Sequence, residues 1–127
     1  LADNWLAPVH RVLVVEDHHL VGLLLAEMLE ELGHEVCGIA VTEAAAVAMA
    51  QAQLPCLMIV DVRLGAGSGL AAVAEILRHR YVPHIYMSGD IVSLRAAPSH
   101  AVMLRKPFQC DELVVCIDSV FNARPVS

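Results

Sequence analysis

The stretch "LMIVDVRLGAGSGL", residues 57–70, decides the fold. Leu57 to Val60 are apolar without a break, and the next residue is Asp61. A short continuous apolar run followed by glycines reads as a strand covered on both faces. A charge at the end of such a strand is expensive unless something pairs with it. Either Asp61 caps the turn that follows, or the strand exists to hold that carboxylate in place.

Working outward, strands and helices alternate. Residues 11–15, "RVLVV", form a β-branched first strand, and residues 19–32 read as a helix. Residues 35–41 make a second strand. Residues 43–53 make an Ala-rich helix with Thr42 as its N-cap before Glu43. The third strand covers 56–60 and a helix follows over 69–80. Pro83 opens the strand "HIYMS", and residues 101–104, "AVML", are a fifth strand. The last helix covers 110–122, with Asp111 and Glu112 in its first turn, where negative charge suits the helix dipole. This order implies right-handed βαβ crossovers and a doubly wound α/β fold, a five-stranded parallel sheet covered by helices. No repeat or linker interrupts it, so residues 1–127 read as a single domain, with loosely ordered tails at 1–9 and 123–127.

Composition narrows the function. The 127 residues are 57% hydrophobic, enough for one core, and the net charge of -6 with eight Lys+Arg argues against nucleic-acid binding. No apolar run is long enough to span a membrane, and no signal segment opens the chain. It starts at Leu1 rather than Met, so a native N-terminal segment is expected to be missing. Cys37, Cys56, Cys110 and Cys116 show no CxxC spacing and read as reduced thiols of a cytoplasmic protein. The adjacent His18 and His19 are poorly arranged to share a metal.

In such a sheet, ligands bind beyond the carboxyl ends of the strands. Strand one ends in Glu16-Asp17, strand three in Asp61, strand four in Ser88-Gly89-Asp90 and strand five in Arg105-Lys106-Pro107. Each has a bland reading alone: Asp17 as a helix cap, Asp61 as a turn cap, Ser88 as a loop residue, Lys106 as a solvated charge. Together at one edge they suggest a site. Close carboxylates repel unless a cation joins them. Oxygen-only ligands favour a hard divalent ion, and a partly hydrated Mg²⁺ suits one or two carboxylates plus a phosphate. Lys106 adds a charge for an anion, Ser88 a hydroxyl donor, and Gly89 an unobstructed backbone N–H. A carboxylate among these groups is arranged for attack on phosphorus.

The chain resembles a response-regulator receiver domain over nearly all its length. "VLVVED", with Glu16 and Asp17, "MIVD" with Asp61, "MSG" with Ser88 and "RKPF" with Lys106-Pro107-Phe108 carry the resemblance. More narrowly, "VEDHHLVGLLLAEMLEELGHEV", "DVRLGAGSGL" and "LRKPF" resemble single-domain regulators that partner HWE-type sensor histidine kinases in alphaproteobacteria. The resemblance implies a flavodoxin-like sheet of order 2-1-3-4-5. It makes Asp61 the acceptor of a phosphoryl group from a kinase phosphohistidine. It assigns Mg²⁺ to Asp17, Asp61 and the Arg63 carbonyl, with Glu16 acting through water. Phosphoryl oxygens fall to Ser88 and Lys106, with Arg63 and Gly89 beside them, and the Lys106-Pro107 bond is expected to be cis.

The departures also carry expectations. Met103 stands where many receivers place an aromatic, which puts the usual Ser/Thr–aromatic switch in doubt, and Gly65 stands where many have proline. Asp90 to His100 is eleven residues containing Pro98, so a fourth helix there has at most about two turns and the segment is short or irregular. Arg63 and Asp90 each follow a site residue by two, placed to pair across the phosphoryl group and modulate water attack. Val21, Leu25, Met28, Leu29 and Leu32 form the core stripe of the first helix. Leu20 and Leu24 share another stripe with Glu27 and Glu31, and with Pro107 and Phe108 they suggest a docking surface. The implied partners are a sensor histidine kinase and a downstream protein target, with a weak homodimer left open and neither nucleic acid nor membrane expected. The alternatives are a phosphate-independent degenerate receiver and a haloacid-dehalogenase-like phosphotransferase. The latter class wants an Asp where Arg63 stands. A fragment of a longer protein is a further alternative.

Overall fold

The computed structural model describes residues 9–122. Its elements run β1 (Arg11–Val15), α1 (His19–Glu31), β2 (Glu35–Ala40), α2 (Glu43–Gln53), β3 (Leu57–Asp61), β4 (Arg63–Leu64), β5 (Gly67–Ser68), α3 (Gly69–Leu77), β6 (His84–Ser88), α4 (Ile91–Ala96), β7 (Val102–Arg105) and α5 (Cys110–Asn122). The five long strands form one sheet in the order β2-β1-β3-β6-β7, every neighbouring pair parallel. With the two-residue strands β4 and β5 set aside, this is the expected order 2-1-3-4-5. The loosely ordered tails expected at 1–9 and 123–127 lie outside the described residues except for Val9.

Alternation along the strands builds two cores. Leu13, Val15, Met58, Val60 and Tyr86 pack against Ala46 and Ala50 of α2 and Ala72, Val73 and Ile76 of α3. Val12, Val14, Ile59, Ile85 and Met87 pack against Leu25 and Leu29 of α1 and Leu113 and Ile117 of α5. Strands buried on both faces must be apolar throughout, and β1 and β3 are, apart from Arg11 and Asp61 at their ends. Asp61 itself belongs to β3, one residue beyond the strand read from sequence.

Local chemistry fixes the ends. Thr42 caps α2 as expected, accepting the Ala45 N–H at 3.0 Å. The α3 helix ends at Leu77, not residue 80, because its last turn tightens: Arg78 and His79 donate to carbonyls three residues back. The β4–β5 hairpin was not expected. It turns through Gly65, whose φ of 56° favours glycine. The segment after Ser88 carries α4, six residues long, followed by a turn in which Ala101 donates to the Pro98 carbonyl. The Lys106–Pro107 bond is cis.

Candidate functional site

Parallel strands bring four chain segments to one sheet edge. The strand pairing sets Val15 beside Val60 and Asp61 beside Met87, so the residues that end β1, β3 and β6 lie side by side. Glu16 and Asp61 are buried and Asp17 is exposed. Carboxylate oxygens of all three lie within 4.8 Å of one another. Lys106, the residue after β7, reaches in: its Nζ donates to Asp61 Oδ2 at 2.5 Å and to Glu16 Oε1 at 2.7 Å. One ammonium thus offsets two buried carboxylates, which answers the cost of burying Asp61.

The remaining oxygens are also engaged. Glu16 Oε2 accepts the His18 N–H at 3.0 Å, and Asp61 Oδ1 accepts the Arg63 N–H at 3.0 Å. Asp61 therefore does receive a turn N–H, as the bland reading has it, while its second oxygen faces Lys106. Asp17 is not the cap of α1; His18 is, its Nδ1 accepting from Val21 N–H. Burial pushes the Glu16 carboxyl above its ordinary range, against the pull of Lys106. For Lys106, burial alone would lower the ammonium, but hydrogen bonds to Asp61 and Glu16 overcome it and the net shift is upward. An oxygen-only set of three carboxylates, two of them buried, fits a hard divalent cation.

Ser88 and Asp90 are turned toward each other. Ser88 Oγ accepts the Asp90 N–H at 3.0 Å and lies 3.3 Å from the Asp90 carbonyl, to which it donates. The Asp90 carboxylate starts α4, accepting the Val92 N–H at 2.9 Å and the Ser93 hydroxyl at 3.2 Å. The Val92 N–H is the main cause that holds Asp90 below the ordinary carboxylate range. Arg63 Nη1 lies 3.9 Å from Asp90 Oδ2, a loose pair between exposed side chains. Gly89 opens toward Lys106, whose Cβ is 3.8 Å from the place a β-carbon would take. Met103 sits beside Tyr86 across β6 and β7 and packs partly buried against the core.

The suggested docking residues divide. Leu24, Pro107 and Phe108 line one groove of about 560 Å³ with Met28, and Gly89 and Lys106 line it too. Leu20 lines a different groove, between α1 and β2, which Leu24 also borders. Both leucines are exposed, at 59% and 51%.

Three residues escaped the reading of the sequence. Gly69 opens α3 directly against the Asp61 carbonyl, Gly67 lies against the Glu43 side chain, and the Glu43 carboxylate receives the Ser68 N–H at 2.5 Å. The glycine-rich character of "GAGSG" was the only signal for the two glycines, and Glu43 had none beyond its place after the Thr42 cap.

Residues 12–118 match the response regulator receiver domain family. The chain belongs to that family. This receiver is similar to the transcriptional regulatory protein PdtaR of Mycobacterium tuberculosis, 34% identical over 85% of this chain and 55% of that one. It is also similar to the phyllosphere-induced regulator PhyR of Methylorubrum extorquens, 35% identical over 77% of this chain and 38% of that one. The crystal structure of the anti-anti-sigma factor PhyR from Bartonella quintana superposes with a TM-score of 0.83 at 30% identity, over 94% of this chain and half of that one. The receiver thus spans about half or less of the length of these relatives. Membership makes the chain a signalling module of two-component systems rather than a conventional enzyme, and it removes the dehalogenase-like alternative. Receivers work with histidine kinases and bind Mg²⁺ at an acidic pocket; the carboxylates at positions 16, 17 and 61 form such a pocket here. No helix among the described residues is long and apolar enough to cross a membrane.

Proposed function

We propose that this receiver accepts a phosphoryl group on Asp61 from the phosphohistidine of a sensor kinase. The observation that carries the reading is the Asp61 carboxylate, buried at the end of the central strand, with Lys106 Nζ 2.5 Å from one oxygen. A carboxylate oxygen attacks phosphorus, the P–N bond to the donor imidazole breaks, and its electron pair stays on the imidazole nitrogen. Asp17, Asp61 and the Arg63 carbonyl would hold Mg²⁺, with Glu16 acting through water. Bound there, the ion would offset charge on the transferring phosphoryl oxygens. Lys106 is already beside Asp61 Oδ2 and needs only to trade a carboxylate oxygen for a phosphoryl oxygen. Ser88 must turn its hydroxyl away from Asp90 to donate to the same group, with the Gly89 N–H beside it. Arg63 and Asp90, paired loosely at the rim, modulate the approach of water.

The kinase helix docks in the groove of Leu24, Pro107 and Phe108, which opens beside Lys106. The downstream target is a protein, in keeping with the anti-anti-sigma role named for the PhyR relative and with the acidic charge of this chain. We take the chain as a single receiver module acting in the cytoplasm. The test is incubation with Mg²⁺ and acetyl phosphate, followed by intact mass. One added phosphoryl group is expected; an unchanged mass favours the phosphate-independent reading instead.

A further inference from the structure

We infer that Glu43, at the start of α2, is a positioning residue for the Asp61 site, an inference that rests on the function proposed above. Glu43 Oε1 accepts the Ser68 N–H at 2.5 Å, across a separation of 25 residues. The Glu43 side chain also lies close against Gly67. A β-carbon there would meet Glu43 Oε1 at 2.8 Å and its Cγ at 3.1 Å, so position 67 has room for Glu43 only as glycine.

Gly67 and Ser68 are the return strand of the small hairpin, and Ser68 is the partner of Arg63 across it. Arg63 in turn gives its N–H to Asp61 Oδ1 at 3.0 Å. Its carbonyl is the proposed backbone ligand of the metal, and its guanidinium faces Asp90. The β4 side of the hairpin is anchored by Leu64, which is buried in the core, whereas β5 is Gly67 and Ser68, with no apolar side chain to fix it. Glu43 therefore fixes the β5 side of the hairpin. A carboxylate acceptor makes a backbone N–H bond about twice as strong as a neutral one does. Ser68 is also the N-cap of α3, accepting from Ala71 N–H, so the clamp ties the starts of α2 and α3 to the loop between them.

Groups that orient a ligand from behind commonly change metal affinity by about 10- to 100-fold when removed. The experiment compares Glu43→Ala, Glu43→Gln and Gly67→Ala with the wild type by amide NMR and Mg²⁺ titration, with circular dichroism as the check on folding. In Glu43→Ala the metal-free Ser68 and Arg63 amide resonances should both shift, and Mg²⁺ affinity should fall about tenfold. Glu43→Gln keeps an oxygen acceptor and should stay within about threefold of wild type. Gly67→Ala pushes the Glu43 carboxylate off Ser68 and should reproduce the alanine signature, which covers the case of a Glu43→Ala protein that fails to fold. Wild-type Arg63 resonances and wild-type affinity in either loss variant would overturn the inference. If the wild type itself bound no Mg²⁺, the proposed function would fall, and the metal-free Arg63 shift alone would judge the clamp.

Discussion

A β-carbon at position 69 would stand 1.9 Å from the carbonyl oxygen of Asp61 and 2.8 Å from Val60 Cγ1. Neither can yield, because the Asp61 carbonyl belongs to the central strand and the Gly69 N–H is itself bonded to the Val62 carbonyl at 2.8 Å. Gly69→Ala should therefore lose on the order of 3 kcal/mol of stability, read as a lower denaturant midpoint. A midpoint equal to wild type would mean that α3 can start elsewhere. The neighbouring carboxylate gives the opposite kind of variant. Asp61→Asn keeps the shape and the oxygen that receives the Arg63 N–H, and removes the proposed nucleophile. Labelling by acetyl phosphate should drop to background while the circular dichroism spectrum is unchanged; labelling at the wild-type level would move the acceptor to another residue. Asp61, Ser88 and Lys106 were legible because each ends a strand, and a parallel sheet gathers strand ends whatever the details. Glu43 and Gly69 were not, since their value depends on contacts between elements that no local pattern encodes.

The elements divide in the same way. The apolar run of β3 and the Thr42 cap of α2 could be read directly, since strand burial and helix capping are local signals. The end of α3 was misjudged by three residues because nothing apolar or polar in "RHR" distinguishes a tightening turn from a continuing helix. The β4–β5 hairpin escaped because two residues per strand leave no periodicity. For α4 the sequence set a limit of about two turns, and six residues formed. It starts on Asp90, which accepts from Val92 and Ser93, while Ile91 and Val92 are exposed. Helices this short hold few hydrogen bonds of their own, so local opening should be cheap. Ser88 and Lys106 lie on either side of the segment in sequence, and a phosphoryl group held by both would draw its two ends to one centre. Order gained in this segment would then stand in for the Ser/Thr–aromatic switch that Met103 puts in doubt. Amides from Ile91 to His100 should exchange rapidly in the free protein and more slowly when a phosphoryl mimic is added with Mg²⁺. Strong protection before the mimic is added would rule this switch out.

At the scale of the whole molecule, the two ends of the sheet differ in chemistry. The carboxyl edge collects charge, and the opposite end packs imidazole on aromatic. His10, just before β1, stacks on Phe121 of α5 with ring centroids 3.9 Å apart and on His34 at 5.3 Å. Its backbone N–H donates to His34 Nδ1 at 3.1 Å, so that nitrogen acts as an acceptor in the folded state. These contacts pin the last turn of α5 to the sheet beside a cavity of about 360 Å³ that Asp118 also lines. Burial pulls both imidazoles below the ordinary value of 6.5, with the neighbouring His10 adding to the shift of His34. A basic group whose folded pKa is depressed binds protons first in the unfolded chain. Stability from the pair is therefore full well above pH 6.5, falls as pH drops through 6.5, and stops falling below the depressed folded value. Glu16, raised by burial, acts with the opposite sign from its raised value down to its ordinary 4.5. Only a comparison of variants separates the two. His34→Asn keeps an acceptor near Nδ1 and cannot take up the proton. Wild-type melting temperature should decline between about pH 7.5 and 5.5, and the decline should be shallower in His34→Asn. Parallel curves would show that His34 carries no proton linkage to folding.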